Sequence, residues 1–415
     1  MTRSFSEILG SDVASKLAQP IEQARGLPSA AYTSQEFFDL EQEQLFPRTW
    51  QGVGFVDDVP EPGDAVPITV SGLPLILVRD RKNKIRCFHN VCRHRATIVL
   101  QKPEKGLSNL QCPYHAWTWD LEGNLKATPY FDGTPNSENY SVDKDKNGLV
   151  PVRCDVWNKV VFINLEGNAE PLIDYLSPAD KMLSHLDLDS LQLAHRFTWE
   201  FKGNWKLVNE NWEVYHHVWV HYGIFDRMSE EVDFATGKPY TLMTSEGNVL
   251  TLRGGENRPA RKPPAALHHG TKSTSPPEDE IQLPNIPTKD GSDGIFGATN
   301  AILPNVTASL NNGGYAPVVY IPIAPDRTLA SMAWYFAGDG ATADKYAAAR
   351  EKRLNLWLGP TRAIEDKGGI RSQDHKCFEL QQAARYSPIA NDVQFSPTWE
   401  TNVHYFENWV VEQLA

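Results

Sequence analysis

The sequence predicts an α+β protein in two parts: a small, largely antiparallel β domain, then a larger domain whose curved antiparallel sheet is backed by C-terminal helices. Three observations carry this expectation. From Trp50 to about Leu165, short apolar runs alternate with turn residues. Beyond Glu166, strand patterns come first and helix-period segments last. No internal repeat is visible, so a solenoid or propeller is excluded. At 415 residues, 41% apolar and 22% charged, the chain has the size and composition of a globular protein of two or three domains.

Residues 1–46 read as an N-terminal helical arm. Thr33 and Glu36 make a capping box, and Phe37, Phe38, Leu40, Leu45 and Phe46 follow at helical spacing until Pro47. Residues 47–166 make the β domain. Leu73–Arg79 and Ile85–Val91 flank the polar turn 80–84 as a hairpin, and Leu110–Trp119 and Val160–Leu165 are further strands. Residues 167–415 form the larger domain. Arg196–Lys202 and Tyr240–Leu252 read as strands, and Tyr315–Ile323 and Leu329–Phe336 as a hairpin around Ala324-Pro325-Asp326-Arg327. Thr342–Leu358, Ser372–Ala384 and Val403–Leu414 are helices. Residues 253–295 hold seven prolines and five glycines, too many breakers for a regular element, and are expected to form a lid loop.

A net charge of −12 argues against nucleic acid as a partner. Residues 1–12 lack the apolar core of a signal peptide, and no run of eighteen apolar residues occurs, so neither export nor a membrane span is expected. The cysteines are Cys87, Cys92, Cys112, Cys154 and Cys377. An odd, sparse set suggests reduced thiols or metal ligands and a cytoplasmic setting.

Two constellations carry chemistry. In the β domain Cys92 and His94, then Cys112 and His115, give C-x-H-x17-C-x2-H. Zinc accepts two cysteines and two histidines, but zinc fingers pair Cys with Cys and His with His. One of each per loop suits a [2Fe–2S] cluster in which thiolates bind one iron and imidazoles the other. Cys87 and Cys154 lie outside the pattern and read as buried small hydrophobes. In the larger domain Glu213, His216 and His221 give E-x2-H-x4-H. Nitrogen and carboxylate donors this closely spaced are what a non-haem iron with open positions needs, while an amphipathic helix with satisfied histidines is the plain alternative. On a helix, His217 and His221 would share a face at i, i+4.

The run C-R-H-R followed by C-P-Y-H-A-W-T-W-D-L-E-G-N-L resembles the Rieske domain of the Rieske non-haem iron oxygenases, the ring-hydroxylating α subunits and their monooxygenase relatives. Ala96 stands where that family commonly has glycine. The resemblance runs from about Trp50 to the C-terminus and implies an N-terminal Rieske [2Fe–2S] domain ahead of a helix-grip-like catalytic domain. It implies Cys92, His94, Cys112 and His115 as cluster ligands and His216 and His221 as ligands of a mononuclear Fe(II), with His217 the alternative. The late motif Arg371 to Glu379 would supply Asp374 as third ligand; alone, Asp374 reads as an acid at a helix start. Glu213 is implied as a carboxylate that bridges a ligand histidine to His115 of a neighbouring subunit in a homotrimer. Glutamate at that place resembles the choline, carnitine and betaine monooxygenase branch.

The function so implied is that of a terminal oxygenase component. It would use O2, with electrons from NAD(P)H through a reductase with or without a ferredoxin, on a small aromatic, N-methyl or quaternary ammonium substrate. Trp212, Trp219, Tyr222, Phe225, Tyr315 and Trp334 are candidate pocket walls, by stacking or cation–π contact. The competing classes are a Rieske electron carrier without oxygenase activity, a zinc-binding structural protein and a family member reduced to a scaffold.

Overall fold

The computed structural model describes residues 3–213, 216–221, 232–233, 236, 238–254, 281–290, 298–311, 313–359 and 368–415. They fall into two compact units, Phe46–Asp174 and Met1–Leu45 with Tyr175–Ala415. The N-terminal arm thus belongs to the same unit as the C-terminal helices.

The first unit is all β. Its strands are β1 (Gln51–Phe55), β2 (Ala65–Val70), β3 (Leu73–Arg79), β4 (Ile85–His89), β5 (Leu110–Gln111), β6 (Thr118–Trp119), β7 (Leu125–Ala127), β8 (Pro151–Trp157) and β9 (Val160–Asn164). Six of them form an antiparallel sheet in the order β1-β9-β8-β4-β3-β2, and β5-β6-β7 form a second, smaller one. Side chains of a strand alternate between faces, so the unbroken apolar run of β3 implies burial on both. Leu75 and Leu77 enter a core with Val53, Ile85, Cys87 and Ile163. Ile76 and Val78 enter another with Phe88, Trp117, Trp119, Cys92 and Cys112. The β3–β4 hairpin closes at Arg79 opposite Ile85, where Asp80 accepts from the Lys82 and Lys84 amides at 2.8 and 2.9 Å. Cys87 and Cys154 pack within this sheet as expected.

Leu110–Trp119 is not one strand. β5 and β6 pair with each other, and the residues between them turn back to present Cys112 and His115.

The second unit is built on β10 (Gln192–Phe201), a short ribbon of β11 (Val232–Asp233) and β12 (Lys238–Pro239), β13 (Thr241–Glu246), β14 (Val249–Gly254), β15 (Ala298–Ile302), β16 (Val306–Asn311), β17 (Gly314–Ala324) and β18 (Arg327–Phe336). Seven strands form one antiparallel sheet in the order β10-β18-β17-β16-β15-β14-β13. Tyr240–Leu252, expected as a single strand, is the β13–β14 hairpin, because Gly247 at φ 56° allows a tight turn there. Helices Ala347–Leu358, Ile370–Ala384 and Thr401–Leu414 follow the sheet, as the sequence predicts.

In the arm, Ser34 rather than Thr33 caps the Gln35–Leu40 helix, accepting from the Phe37 amide at 3.3 Å. The Thr33 hydroxyl donates instead to the Ser29 carbonyl. Most of the expected lid, 255–280 and 291–295, lies outside the described residues, as do Tyr222 and Phe225. Among the described residues, no helix is long and apolar enough to cross a membrane.

Candidate metal centres

The two loops of the β unit repeat one backbone device. The Cys92 amide donates to the Thr97 carbonyl and the Ala96 amide to the Cys92 carbonyl, at 2.8 and 3.0 Å; Cys112, Trp117 and Ala116 repeat this at 2.8 and 3.1 Å. Each loop reverses through a left-handed residue, Ala96 at φ 54° and Ala116 at φ 56°. Glycine takes that conformation without strain, which explains why a glycine suits the place of Ala96. Asn90 fixes the first loop from beneath, accepting from the Val99 and Leu100 amides and donating to the Leu100 carbonyl.

The expected ligands pair by type, Cys92 with Cys112 and His94 with His115. Cys92 and Cys112 are buried and free, and burial pushes the Cys92 thiol up. The rings of His94 and His115 meet edge-on with centroids 4.7 Å apart, and His94 stacks on Trp117 at 5.1 Å. His94 Nδ1 is buried without a hydrogen-bond partner, and burial, His115 and Arg95 hold the ring neutral. A pair of buried thiols and a pair of adjoining imidazoles, one with an orphaned ring nitrogen, are the donor types of a mixed-ligand iron–sulfur cluster.

The second centre lies on a segment fixed at its head. Asn204 Nδ2 donates to the Pro325 carbonyl at 2.6 Å, and the Asn204 backbone amide donates to Gln382 Oε1 at 2.9 Å. Trp205 Nε1 donates to Glu41 Oε2, Lys206 pairs with Glu41 Oε1, and Asn209 Nδ2 donates to the Pro304 carbonyl. After the short Lys206–Glu210 helix the described residues form single turns at Asn211–Glu213 and Val218–His221.

His217, His221 and Asp374 present ligand atoms all within 4.8 Å of one another. Asp374 Oδ1 lies 3.3 Å from His221 Nε2 and 3.6 Å from His217 Nε2. Burial pushes its carboxyl up, but His221 and His217 overcome this and hold it below the usual range. Each ring is held by its other nitrogen: His217 Nδ1 lies 3.0 Å from Glu213 Oε1, and His221 Nδ1 lies 3.0 Å from Gln373 Oε1. Both acceptors hold a proton on Nδ1, which leaves each Nε2 turned toward Asp374 as the atom available to a metal. Two nitrogens and one carboxylate on one side are the donor set of a facial-triad iron site.

His216 is not brought to this group. It belongs to a second one with Glu213 and Glu400, at 3.2 and 3.6 Å from Nδ1, and stacks on Trp399 at 5.6 Å. Its side chain is 41% exposed against 14% for His217. The structure thus groups His217 rather than His216 with His221 and Asp374, and sets Glu213 against both His216 and His217. Gln373 and Glu400 were missed. Gln373 had a signal, its place beside Asp374; Glu400 had none. Of the expected pocket walls, Trp219 is 69% exposed, while Trp212, Tyr315 and Trp334 are buried.

Comparison with known proteins agrees with both halves. A Rieske [2Fe-2S] domain model matches residues 49–138, and the model for the ring hydroxylating alpha subunit (catalytic domain) matches residues 188–415. The chain belongs to the ring-hydroxylating alpha-subunit family of Rieske oxygenases. It is 34% identical over 215 residues to the carnitine monooxygenase oxygenase subunit of Escherichia coli (strain K12), covering 51% of this chain and 56% of that protein. The chain thus spans little more than half the length of that relative. It is 26% identical over 418 residues to the glycine betaine monooxygenase oxygenase subunit of Chromohalobacter salexigens, covering 96% and 88%. The solved structure of a quaternary ammonium Rieske monooxygenase, described as giving insights into carnitine oxidation and inter-subunit electron transfer, shares the fold. Its TM-score is 0.71 at 21% identity, over 97% of this chain and 98% of that one.

Proposed function

We propose that the chain is the terminal oxygenase component of a Rieske oxygenase system that oxidises a small N-methyl or quaternary ammonium compound, by demethylation or C–N cleavage. The observation that carries this is the convergence of His217, His221 and Asp374 in a chain that also holds the four-ligand cluster site. The relatives' substrates favour the ammonium class over arenes. Cys92, His94, Cys112 and His115 would hold the [2Fe–2S] cluster; His217, His221 and Asp374 would hold the Fe(II). When bound, the cluster supplies single electrons and the iron the oxygen chemistry. The chain's own part is to keep both imidazoles in one tautomer, through Glu213 and Gln373, and to keep Asp374 ionised in a buried place.

The electrons would come from NAD(P)H through a reductase, with or without a ferredoxin, in a cytoplasmic setting that suits five free cysteines. A head-to-tail ring of three chains would let Glu213 pair with His115 of the partner subunit. In Glu213→Ala, assayed with the triad saturated with iron, oxidation of the reduced cluster should slow at least ~10-fold. The deciding test is iron content. Wild type should carry about three irons per chain with a rhombic reduced-cluster EPR signal, two in the cluster and one in the triad. Asp374→Ala should keep the signal, lose the third iron and lose turnover. Two irons in wild type would make the chain an electron carrier instead.

A further inference from the structure

We infer that Arg371 is the receptor for a carboxylate on the substrate, so that the enzyme takes a molecule anionic at one end. This rests on the reading of Asp374 as an iron ligand and deepens it. Arg371 lies in the first turn of the Ile370–Ala384 helix, one turn before Asp374. Side chains so spaced have Cβ atoms roughly 5–6 Å apart. It is 9% exposed, and its Nε is buried without a partner. Nη1 donates to Tyr320 Oη at 2.8 Å, and the guanidinium sits 5.8 Å from the Trp357 ring centroid. No carboxylate of this chain pairs with it among the described residues.

That is anomalous by the chain's own standard. Buried Lys206 faces Glu41, and buried Arg385 faces Glu210 at 3.9 Å. A buried charge is ordinarily paired, because leaving it alone forfeits its solvation. The position makes matters worse: a cation in the first turn opposes the positive end of the helix dipole. An anion placed there would satisfy both. The neighbours agree, since Trp357 Nε1 and Trp334 Nε1 are also buried donors without acceptors, their rings 6.3 Å apart. This corner offers donors and an aromatic wall, and among the described residues no acid pairs with them. With Nη1 held by Tyr320, the Nε–Nη2 edge is left, and that edge matches the two oxygens of a carboxylate.

The proposal separates two kinds of quaternary ammonium ligand: zwitterions with a carboxylate fit, and the alcohol choline does not. The test is calorimetric titration of the cluster-containing, iron-loaded enzyme with glycine betaine, choline and 3,3-dimethylbutyrate, the last a carboxylate without the cationic charge. Wild type should bind both carboxylates at least ~10-fold more tightly than choline. Arg371→Gln should weaken both by at least ~30-fold, the scale of truncating one partner of a buried charge pair. The ratio of betaine to choline affinity then collapses toward one. Arg371→Lys keeps the charge without the fork and should fall between; far-ultraviolet circular dichroism and retained triad iron report folding of the unit that carries each variant. If both ammonium compounds fail to bind yet dimethylbutyrate binds through Arg371, the ammonium reading falls and the receptor stands. Carboxylates bound equally well by wild type and both variants, or not bound by wild type at all, would overturn it.

Discussion

Gln373→Leu isolates what one hydrogen bond contributes to the metal site. His221 is buried, and its Nδ1–H ends on Gln373 Oε1 at 3.0 Å. Leucine fills much of the same volume but accepts nothing. A buried donor left unsatisfied costs about 1–3 kcal/mol. The ring can avoid that cost only by moving its proton to Nε2, the nitrogen that faces Asp374 at 3.3 Å and would bind iron. Either way metal binding bears the loss. The figure corresponds to roughly a 10- to 100-fold fall in affinity, the range seen when outer partners of ligand histidines are removed. The assay is anaerobic competition for Fe(II) against a chelator, with nitrogen NMR of the iron-free protein to read the His221 tautomer. Gln373→Glu keeps an acceptor and should hold iron within ~3-fold of wild type or better. Wild-type affinity and an unchanged tautomer in Gln373→Leu would refute the reasoning.

The remaining predictions can be tested on the same protein. His217→Ala should lose the mononuclear iron and His216→Ala should retain it, by metal analysis; the reverse result would restore His216 as the ligand. Ala96→Gly and Ala116→Gly should each stabilise the cluster unit by about 0.5–1 kcal/mol in denaturant titrations, because ~1–2 kcal/mol of left-handed strain is relieved against about 0.4–1 kcal/mol of added chain entropy. Burial first, and Glu210 second, push the Glu407 carboxyl up to about 8, well above the usual carboxylate range. The folded state therefore holds a proton that the unfolded chain releases, and stability falls as pH rises through that window. Glu407→Gln keeps an acceptor for the Leu27 amide but cannot titrate; its stability relative to wild type should rise between pH 5 and 8, and a flat difference would count against the shift.

The cluster ligands were legible because they are local. Each cysteine lies within three residues of its histidine, and one short loop sets both, so spacing alone carries the geometry. The iron site was half legible. His221 and Asp374 come from segments far apart in the chain, and only a family resemblance joined them. Between His216 and His217 the helical argument favoured His217 and the family spacing His216. The structure brings His217 to Asp374, with the described residues forming turns at Asn211–Glu213 and Val218–His221. Gln373 and Glu400 act through packing of helices on the metal segment, which no local pattern encodes. Hairpins were found where a polar turn interrupted the apolar run, as at 80–84, and missed at Gly247-Asn248, where the flanking residues concealed the break.

The N-terminal arm contributes no ligand, yet the site depends on it. Tyr32 donates to Glu210 at 2.6 Å, and Glu41 receives both Trp205 Nε1 and Lys206. Glu210 also faces Arg385, whose guanidinium lies 3.9 Å from the Tyr32 ring centroid. These groups grip both ends of the short helix that leads into Glu213, His217 and His221. Buried ion pairs of this kind add little net stability over an apolar packing of the same volume, since desolvation offsets most of the attraction. What they add is direction: a carboxylate with two fixed donors sets the rotation of the helix as well as its depth. Metal ligands need placement to about 0.5 Å, and the turns after Glu210 inherit their position from this short helix. Orientation supplied from the arm explains why a costly buried network sits at the head of this segment, where leucines would pack as tightly and leave the helix free to turn.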